Sequence, residues 1–336
     1  MRTAPEGLVG RELVACLSEG WGLDLADAQY LPVGFGSHHW LGTDAAGGRH
    51  FVTADDLDRR HDLGATRESV LAGLRCGLNT ALALHRRGGL DFVIAPVPTQ
   101  RGETLRRIGN RYTVAVFPFV EGSPGRFGGG FLPGERAAVV DLLVRLHRAT
   151  PSAAPVARPA SMALIGRGDL ESALCDLGRK WTGGSYSEPA RALLAPRAER
   201  VRRLLRTFDR LAGQVAAAGA ERVITHGEPH AANLVRAGRR LLLVDWDTAG
   251  LALPERDLWL VDAGSGDEVR RYAEASGRAV DEAAIRLYSV RWTLADLAVY
   301  LRWFRSAHRR TADTEKAWRD FALSLESDDL YRRVGG

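Results

Sequence analysis

Val223-Ile224-Thr225-His226-Gly227-Glu228-Pro229-His230-Ala231-Ala232-Asn233-Leu234-Val235-Arg236-Ala237-Gly238-Arg239-Arg240-Leu241-Leu242-Leu243-Val244-Asp245-Trp246-Asp247 is the stretch on which the reading of this chain turns. It runs as a short apolar strand, a polar loop, a hairpin turned at Ala237-Gly238 and a second apolar strand that ends in an acid. Such a hairpin brings Glu228, Asn233 and Asp245 to one edge, where two carboxylates and an amide oxygen converge. Oxygen ligands of this kind suit Mg²⁺, which takes few protein ligands and completes its shell with phosphate oxygens and water. With Asn233 and Asp245 on the metal, Glu228 is left to orient a nucleophilic hydroxyl.

Outward toward the N-terminus, Glu12 to Glu19 reads as helix. Gln29 to Val33 and Arg49 to Ala54 read as strands flanking the loop Gly34-Phe35-Gly36-Ser37-His38-His39. A long helix is expected from Thr66 to Arg87, stopped by Gly88-Gly89, followed by strands at Phe92 to Val97 and Tyr112 to Val116. Phe117 to Gly125 changes character and reads as a hinge, and helix is expected from Pro133 to His147. Pro151 to Pro159 reads as an exposed connection. Helical patterns return at Leu170 to Trp181, at Glu188 to Ala218 and from Asp267 to the end, where Trp292, Leu294, Leu297, Tyr300, Leu301 and Phe304 share broad faces of one helix. There is no internal repeat.

The run His226-Gly227-Glu228-Pro229-His230-Ala231-Ala232-Asn233, followed by Val244-Asp245-Trp246-Asp247, resembles the catalytic and metal-binding loops of the aminoglycoside phosphotransferase and choline kinase family. The resemblance covers residues 28 to 305. It implies an α+β, bilobal protein-kinase-like fold. An N-lobe, residues 1–117, would carry a small antiparallel sheet, one long helix and the nucleotide, and a larger, mainly helical C-lobe, residues 118–336, would carry catalysis and substrate. By the same resemblance Glu228 stands at the catalytic carboxylate and Asn233 and Asp245 at the two Mg²⁺ ligands. Gly34, Gly36, Ser37 and His38 stand in the phosphate-covering loop, and Phe117, Phe119 and Val120 in the hinge that holds the base of ATP or GTP. His226, His230 and Asp257 stand where residues support the catalytic loop. Phosphoryl transfer asks mainly for positioning and charge neutralisation, so a few well-spaced polar groups are close to a sufficient kit.

Two departures from the family pattern stand out. Glu228 replaces the usual Asp, and the extra methylene moves the carboxylate by on the order of 1 Å, a misplacement that can cost about a hundredfold in rate. Thr53 occupies the strand position where the family commonly has a phosphate-binding Lys, and the chain's two lysines are Lys180 and Lys316. An Arg must substitute, with Arg49, Arg67 and Arg111 as unranked choices, or the glycine-loop amides hold the phosphates alone, and His38 and His39 are further candidates.

The combined signature Gly-Phe-Gly-Ser-His-His-Trp and Thr-His-Gly-Glu-Pro-His resembles antibiotic phosphotransferases of the spectinomycin-modifying kind, which implies antibiotic resistance or producer self-resistance. A formal charge of +5 argues against a strongly cationic acceptor and fits an aminocyclitol or nucleoside with few amines at least as well. Asp262, Asp267, Trp292, Asp296 and Trp303 are candidates for the acceptor, although helical aromatics are more often core. The alternatives are a metabolic kinase of choline, a methylthio-sugar or homoserine, and a pseudokinase motivated by Thr53 together with Glu228. Too little chain lies between Asp245 and Leu258 for a peptide-binding activation segment.

Composition bounds the rest. At 45% hydrophobic and 26% charged, the 336 residues are those of a globular protein with more than one core's worth of chain. Arginine is scattered rather than striped among aromatics, which argues against nucleic acid. No apolar run in Met1 to Gly20 is long enough for a signal peptide or a membrane span, so a cytoplasmic enzyme is expected. Cys16, Cys76 and Cys175 read as reduced thiols.

Overall fold

The computed structural model describes residues 1–8 and 10–326. In chain order the elements are α1 (Gly10–Trp21), β1 (Leu25–Leu31), β2 (Ser37–Asp44), β3 (Arg49–Asp56), α2 (Arg67–Arg86), β4 (Arg106–Ile108), β5 (Tyr112–Pro118), β6 (Ser123–Pro124), α3 (Glu135–Arg148) and α4 (Thr150–Ala153). There follow α5 (Arg167–Cys175), α6 (Ser187–Leu194), α7 (Ala198–Ala217), β7 (Val223–Thr225), β8 (Leu234–Ala237), β9 (Arg240–Leu243), β10 (Gly250–Ala252), α8 (Glu255–Val261), α9 (Asp267–Ser276), α10 (Glu282–Arg305) and α11 (Ala312–Glu326). They form two compact units. The first is Met1–Ser161 with Glu221–Ala279, and the second is Met162–Ala220 with Val280–Gly336. A boundary at 117/118 falls at the end of β5, inside the first unit.

In the first unit, β1 to β5 form one antiparallel sheet in the order β1-β2-β3-β5-β4. Strand alternation gives its two faces different tasks. Trp40, Val52, Ala54, Val114 and Val116 point to the side covered by Leu13, Cys16 and Leu17 of α1. Ala115 and Phe117 point to the other side, where they meet Val70, Leu71, Leu74 and Leu78 of α2. Helix α2 begins where the sequence places it, because Thr66 and Ser69 form a reciprocal capping box. Between β3 and α2 the chain makes a tight excursion pinned by Leu57 and Leu63, both buried in the α2 cluster.

Two expectations for this sheet differ from the structure. Ser37–Asp44 is a strand rather than part of a loop, so His38 and His39 lie in β2. It turns back through Asp44, whose Oδ1 accepts the amides of Ala46 and Gly48 at 2.9 and 2.7 Å. Phe92 to Val97 is not a strand. It makes one isolated parallel bridge, Val93 to Leu243, and Phe92, Val93 and Ala95 are buried in an irregular segment.

Beyond β5 the chain runs through Phe119 and Val120 to β6, which pairs with β8, and β8 pairs with β9. The hairpin turns at Gly238-Arg239, one residue later than read, with Gly238 at φ +61°. Helices α3, α4, α8 and α9 complete the first unit. The second unit is helical: α5, α6, α7 and α11 pack on α10, whose Leu287, Leu294, Leu297, Leu301 and Phe304 are fully buried. The helical reading from Asp267 onward holds through Glu326, and its last ten positions lie outside the described residues. Among the described residues no helix is long and apolar enough to cross a membrane.

Candidate active site

The site is assembled by the short hairpin and the loop before it. Register pairs Leu234 with Leu243, and the Val244 amide donates to the Asn233 carbonyl at 3.0 Å, so Asn233 and Asp245 flank the same end of β8–β9. Asn233 is buried. Its amide nitrogen donates to the Glu228 carbonyl at 2.9 Å, which leaves Oδ1 as the acceptor available to a ligand. Asp245 has φ +68°, the only non-glycine positive φ among the described residues, a conformation that costs energy and persists where its surroundings impose it.

Charge is concentrated here. Asp245 reaches solvent, yet protein crowds it with acids. Asp247 first, then desolvation and Glu228, push its pKa well above the usual value. Burial, reinforced by Asp247 and Asp62, raises Glu228 to about 8. Acids forced together in this way favour a cation among them. No three His, Cys, Asp or Glu side chains among the described residues group closely enough to hold a metal unaided. Asn233 Oδ1 and the Asp245 carboxylate, at the same end of the hairpin, are oxygen donors of the kind Mg²⁺ takes, with phosphate and water completing its shell. The donor set therefore fits the ion that the sequence implied.

The loop carrying Glu228 is fixed from behind. His226 is fully buried, its Nδ1 accepts the Glu228 amide at 3.2 Å and its Nε2 lies 2.9 Å from the Val244 carbonyl. That pairing requires a neutral ring with its proton on Nε2, and burial accordingly lowers the pKa of His226. Asp257, also fully buried, accepts the amides of His226 and Gly227 at 2.9 and 2.6 Å and faces His147 Nε2 at 3.1 Å. Gly227, at φ +100°, leaves room for Arg256, which its missing Cβ would strike and which donates to Thr225 Oγ1 and the Thr248 carbonyl. His230 lies with Nε2 3.9 Å from the Glu228 carboxylate and its ring edge-on to Phe127, and burial lowers it to about 4.

Burial alone would raise Asp257, but His147 and Arg256 outweigh it and leave its pKa below the usual value. A depressed acid contributes stability above the ordinary carboxylate range and loses it as pH falls through the folded value. Asp257→Ala strands two amides and a histidine. It is expected to cost about 3 kcal/mol in a urea titration at pH 7, and less than that at a pH below the folded-state value. An equal cost at both pH values would show that the carboxylate's charge is not what braces the loop.

On the sheet, Ser37, His39, Thr53 and Asp55 share the face turned toward α2, because Ser37 pairs with Asp55 and His39 with Thr53 across the strands. Ser37 Oγ donates to Asp55 Oδ1 at 2.6 Å, and His39 Nδ1 lies 3.2 Å from Thr53 Oγ1. His38 points the opposite way, beside Tyr30 and Trp40 on the α1 side. Gly34 and Gly36 take positive φ in the loop before β2. Phe117 packs in the α2 cluster, Phe119 carries the Arg49 guanidinium 4.2 Å above its ring, and Val120 is half-buried between β5 and β6.

The three arginines weighed as substitutes for the missing lysine are occupied elsewhere. Arg49 pairs with Glu121, Arg67 with Asp58 and Arg111 with Asp56. Arg60, which the sequence reading passed over, is the buried cation of the site, bonded to Asp55, Asp62 and Asp247. The acid-dense run Asp55-Asp56-Leu57-Asp58-Arg59-Arg60-His61-Asp62 was its available signal. Of the acceptor candidates, Asp262 caps the C-terminus of α8 and Asp267 opens α9 in the first unit. Trp292, Asp296 and Trp303 lie on α10 in the second. Burial, then Asp320, raises Asp296 to about 7.

The family model described as the phosphotransferase enzyme family matches residues 78–299, a span that contains the whole hairpin and its supports. This chain belongs to the phosphotransferase enzyme family. It is a small-molecule phosphotransferase with the kinase-like fold of that family. It is 29% identical over 248 residues to Protein StrN of Streptomyces griseus, covering 70% of this chain and 72% of that one. Its fold is similar to that of spectinomycin phosphotransferase, solved with ADP and spectinomycin, at TM-score 0.76 and 17% identity over 98% of both chains. It is also similar to a microcompartment-associated aminopropanol kinase, at TM-score 0.60 and 16% identity over 95% of this chain and 96% of that one.

Proposed function

We propose that this phosphotransferase moves the γ-phosphate of ATP or GTP to a hydroxyl of an antibiotic of aminocyclitol, aminoglycoside or nucleoside type. The observation that carries the reading is the convergence of Glu228, Asn233 and Asp245 at one end of the β8–β9 hairpin. Glu228 accepts the acceptor's proton. The acceptor oxygen bonds to the γ-phosphorus while the bond to the bridging oxygen breaks, and the nucleoside diphosphate leaves with that electron pair. Asn233 Oδ1 and the Asp245 carboxylate would hold Mg²⁺, which supplies neutralisation of the charge developing on the phosphate oxygens. His226, His230 and Asp257 keep the Glu228 loop in place.

The remaining assignments belong to the same proposal. Residues 1–117 form the nucleotide lobe, with Gly34, Gly36 and Ser37 over the phosphates and Phe117, Phe119 and Val120 along the base; His38, which the resemblance counts with the phosphate loop, drops out because its side chain is buried on the α1 face of the sheet. Residues 118–336 carry catalysis and the acceptor, for which Asp262 of the first unit and, separately, Trp292, Asp296 and Trp303 of the second are the candidate contacts. The likeness to spectinomycin phosphotransferase supports an antibiotic acceptor, and that protein's bound ADP supports an adenine nucleotide.

The test is transfer from ATP and from GTP, with Mg²⁺, to spectinomycin, several aminoglycosides, nucleoside antibiotics, aminopropanol, choline and methylthioribose, read by the mass of the acceptor. An antibiotic that gains one phosphate supports the reading. A small amino alcohol that gains it instead makes the chain a metabolic kinase. Nucleotide binding with no acceptor modified makes it a pseudokinase.

A further inference from the structure

Arg60 links parts of the site that lie far apart in sequence. It is 7% exposed. Its Nη1 donates to Asp55 Oδ1 at 2.8 Å and to Asp247 Oδ2 at 2.7 Å, while Nε and Nη2 take both oxygens of Asp62 at 3.0 and 2.9 Å. Asp55 Oδ1 also receives the Ser37 hydroxyl at 2.6 Å. A continuous chain of hydrogen bonds, Ser37–Asp55–Arg60–Asp247, therefore runs from the end of the glycine loop to the loop that carries Asp245.

Four of the five guanidinium hydrogens are committed to carboxylates, so little of the donor set remains for a phosphate. The geometry is that of a tether. Three carboxylates around one guanidinium also keep an excess of negative charge next to Asp245 and Glu228, so Arg60 restrains the cluster without neutralising it. The backbone of the metal loop also packs against α2. A Cβ on Gly77 would come within 2.5 Å of the Asp247 carbonyl and 2.8 Å of the Trp246 carbonyl, so the helix backbone lies directly against the loop. Asp247 is thus bonded through its side chain by Arg60 and packed at its backbone carbonyl against Gly77 of α2. The anchors of Arg60 itself are Leu57 and Leu63, whose burial turns the segment between them inward.

We infer that Arg60 is a positioning residue for phosphoryl transfer, orienting the metal loop through Asp247 and tying it to the glycine loop through Asp55 and Ser37, where Thr53 leaves no lysine to make such a link. The inference rests on the donor-site reading above. A guanidinium is suited to the task because its fixed fork engages three acids at once, whereas an ammonium is a point charge.

Arg60→Lys keeps the charge and protects the fold, and Arg60→Gln removes the charge. Three readouts separate the roles: Mn²⁺ affinity of the ADP complex by electron paramagnetic resonance, ADP affinity, and acceptor-independent ATP hydrolysis. Arg60→Lys is expected to weaken Mn²⁺ about tenfold and Arg60→Gln on the order of a hundredfold, the range for residues that orient metal ligands. ADP affinity should stay within about threefold of wild type while hydrolysis falls on the order of a hundredfold in Arg60→Gln. Combined with Asp247→Asn, neither variant should lose more Mn²⁺ affinity than the worse single change, since both act through one contact. Wild-type Mn²⁺ affinity and hydrolysis in Arg60→Lys overturn the inference and leave the donor site standing. Loss of ADP affinity in place of Mn²⁺ affinity overturns it too, by making Arg60 a phosphate ligand. A wild-type protein that binds no Mn²⁺ with ADP removes the donor site itself, and the inference with it.

Discussion

Asp245→Asn abolishes phosphoryl transfer, by at least on the order of a thousandfold, the upper range for losing one electrostatic group from a site of developing charge. The same substitution is expected to leave the metal-free protein as stable as wild type or more so. The two effects have one cause. Asp247 and Glu228 crowd Asp245 and raise its pKa far above that of an unfolded-chain aspartate. A carboxyl whose folded pKa is raised favours the folded state while protonated and opposes it once ionised, so the penalty is present at neutral pH. A neutral amide removes that penalty. Asparagine also tolerates the backbone, which sits at φ +68°, where alanine would add strain of about 1 kcal/mol. Melting temperature without metal, Mn²⁺ binding and transfer, measured on one preparation, check the pair of effects. Normal turnover in Asp245→Asn would remove Asp245 from the metal site, and a large fall in metal-free stability would show that the acids are held by something other than mutual repulsion.

Glu228→Gln is expected to lower turnover about 10²- to 10⁴-fold, the range for removing a positioned proton acceptor, while ADP still binds. The glutamine keeps the length and the surroundings of Glu228 and loses only the capacity to take a proton. Glu228→Asp is the more informative partner. The backbone at position 228 is fixed: the Glu228 amide is held by His226, its carbonyl by Asn233, and Pro229 follows. Shortening the side chain withdraws the carboxylate from a position set by those contacts, at a cost of about a hundredfold. Transfer read at saturating nucleotide distinguishes the cases. An Asp variant faster than wild type would mean that this chain is a weakened relative whose loop never adapted to the longer acid. A Gln variant unable to bind ADP would make Glu228 part of the donor site rather than the proton acceptor.

Much of the candidate site was legible because it is local. Glu228, Asn233 and Asp245 lie within one hairpin, and their meeting follows from two-residue periodicity, a glycine turn and apolar strands on both sides. The long helix α2 was legible for a similar reason, with a cap at Thr66 and glycines after Arg87. Strand β2 was not. Ser37-His38-His39-Trp40-Leu41-Gly42 has weak strand character of its own, and its conformation is decided by ladders to β1 on one side and β3 on the other. The strand expected at Phe92 to Val97 failed for the converse reason. Its apolar run is satisfied by burial, and the sheet offers it no edge beyond one bridge.

The sequence by itself determined the hairpin that gathers two acids and an amide, because turn chemistry and side-chain period act over a few dozen residues, and the resemblance of its motifs to those of the phosphotransferase family implied the kinase-like fold. The tertiary structure alone decided which arginine enters the site. Arg60 and Asp247 are 187 residues apart, and His147 and Asp257 are 110 apart, and no local preference selects such partners. Arginine is common along this chain, so composition could not single one out. Packing could, because Leu57 and Leu63 bury the segment that carries Arg60 and Gly77 lets α2 lie against the metal loop. Once apolar anchors place a charge where water is scarce, the acids within reach become its partners.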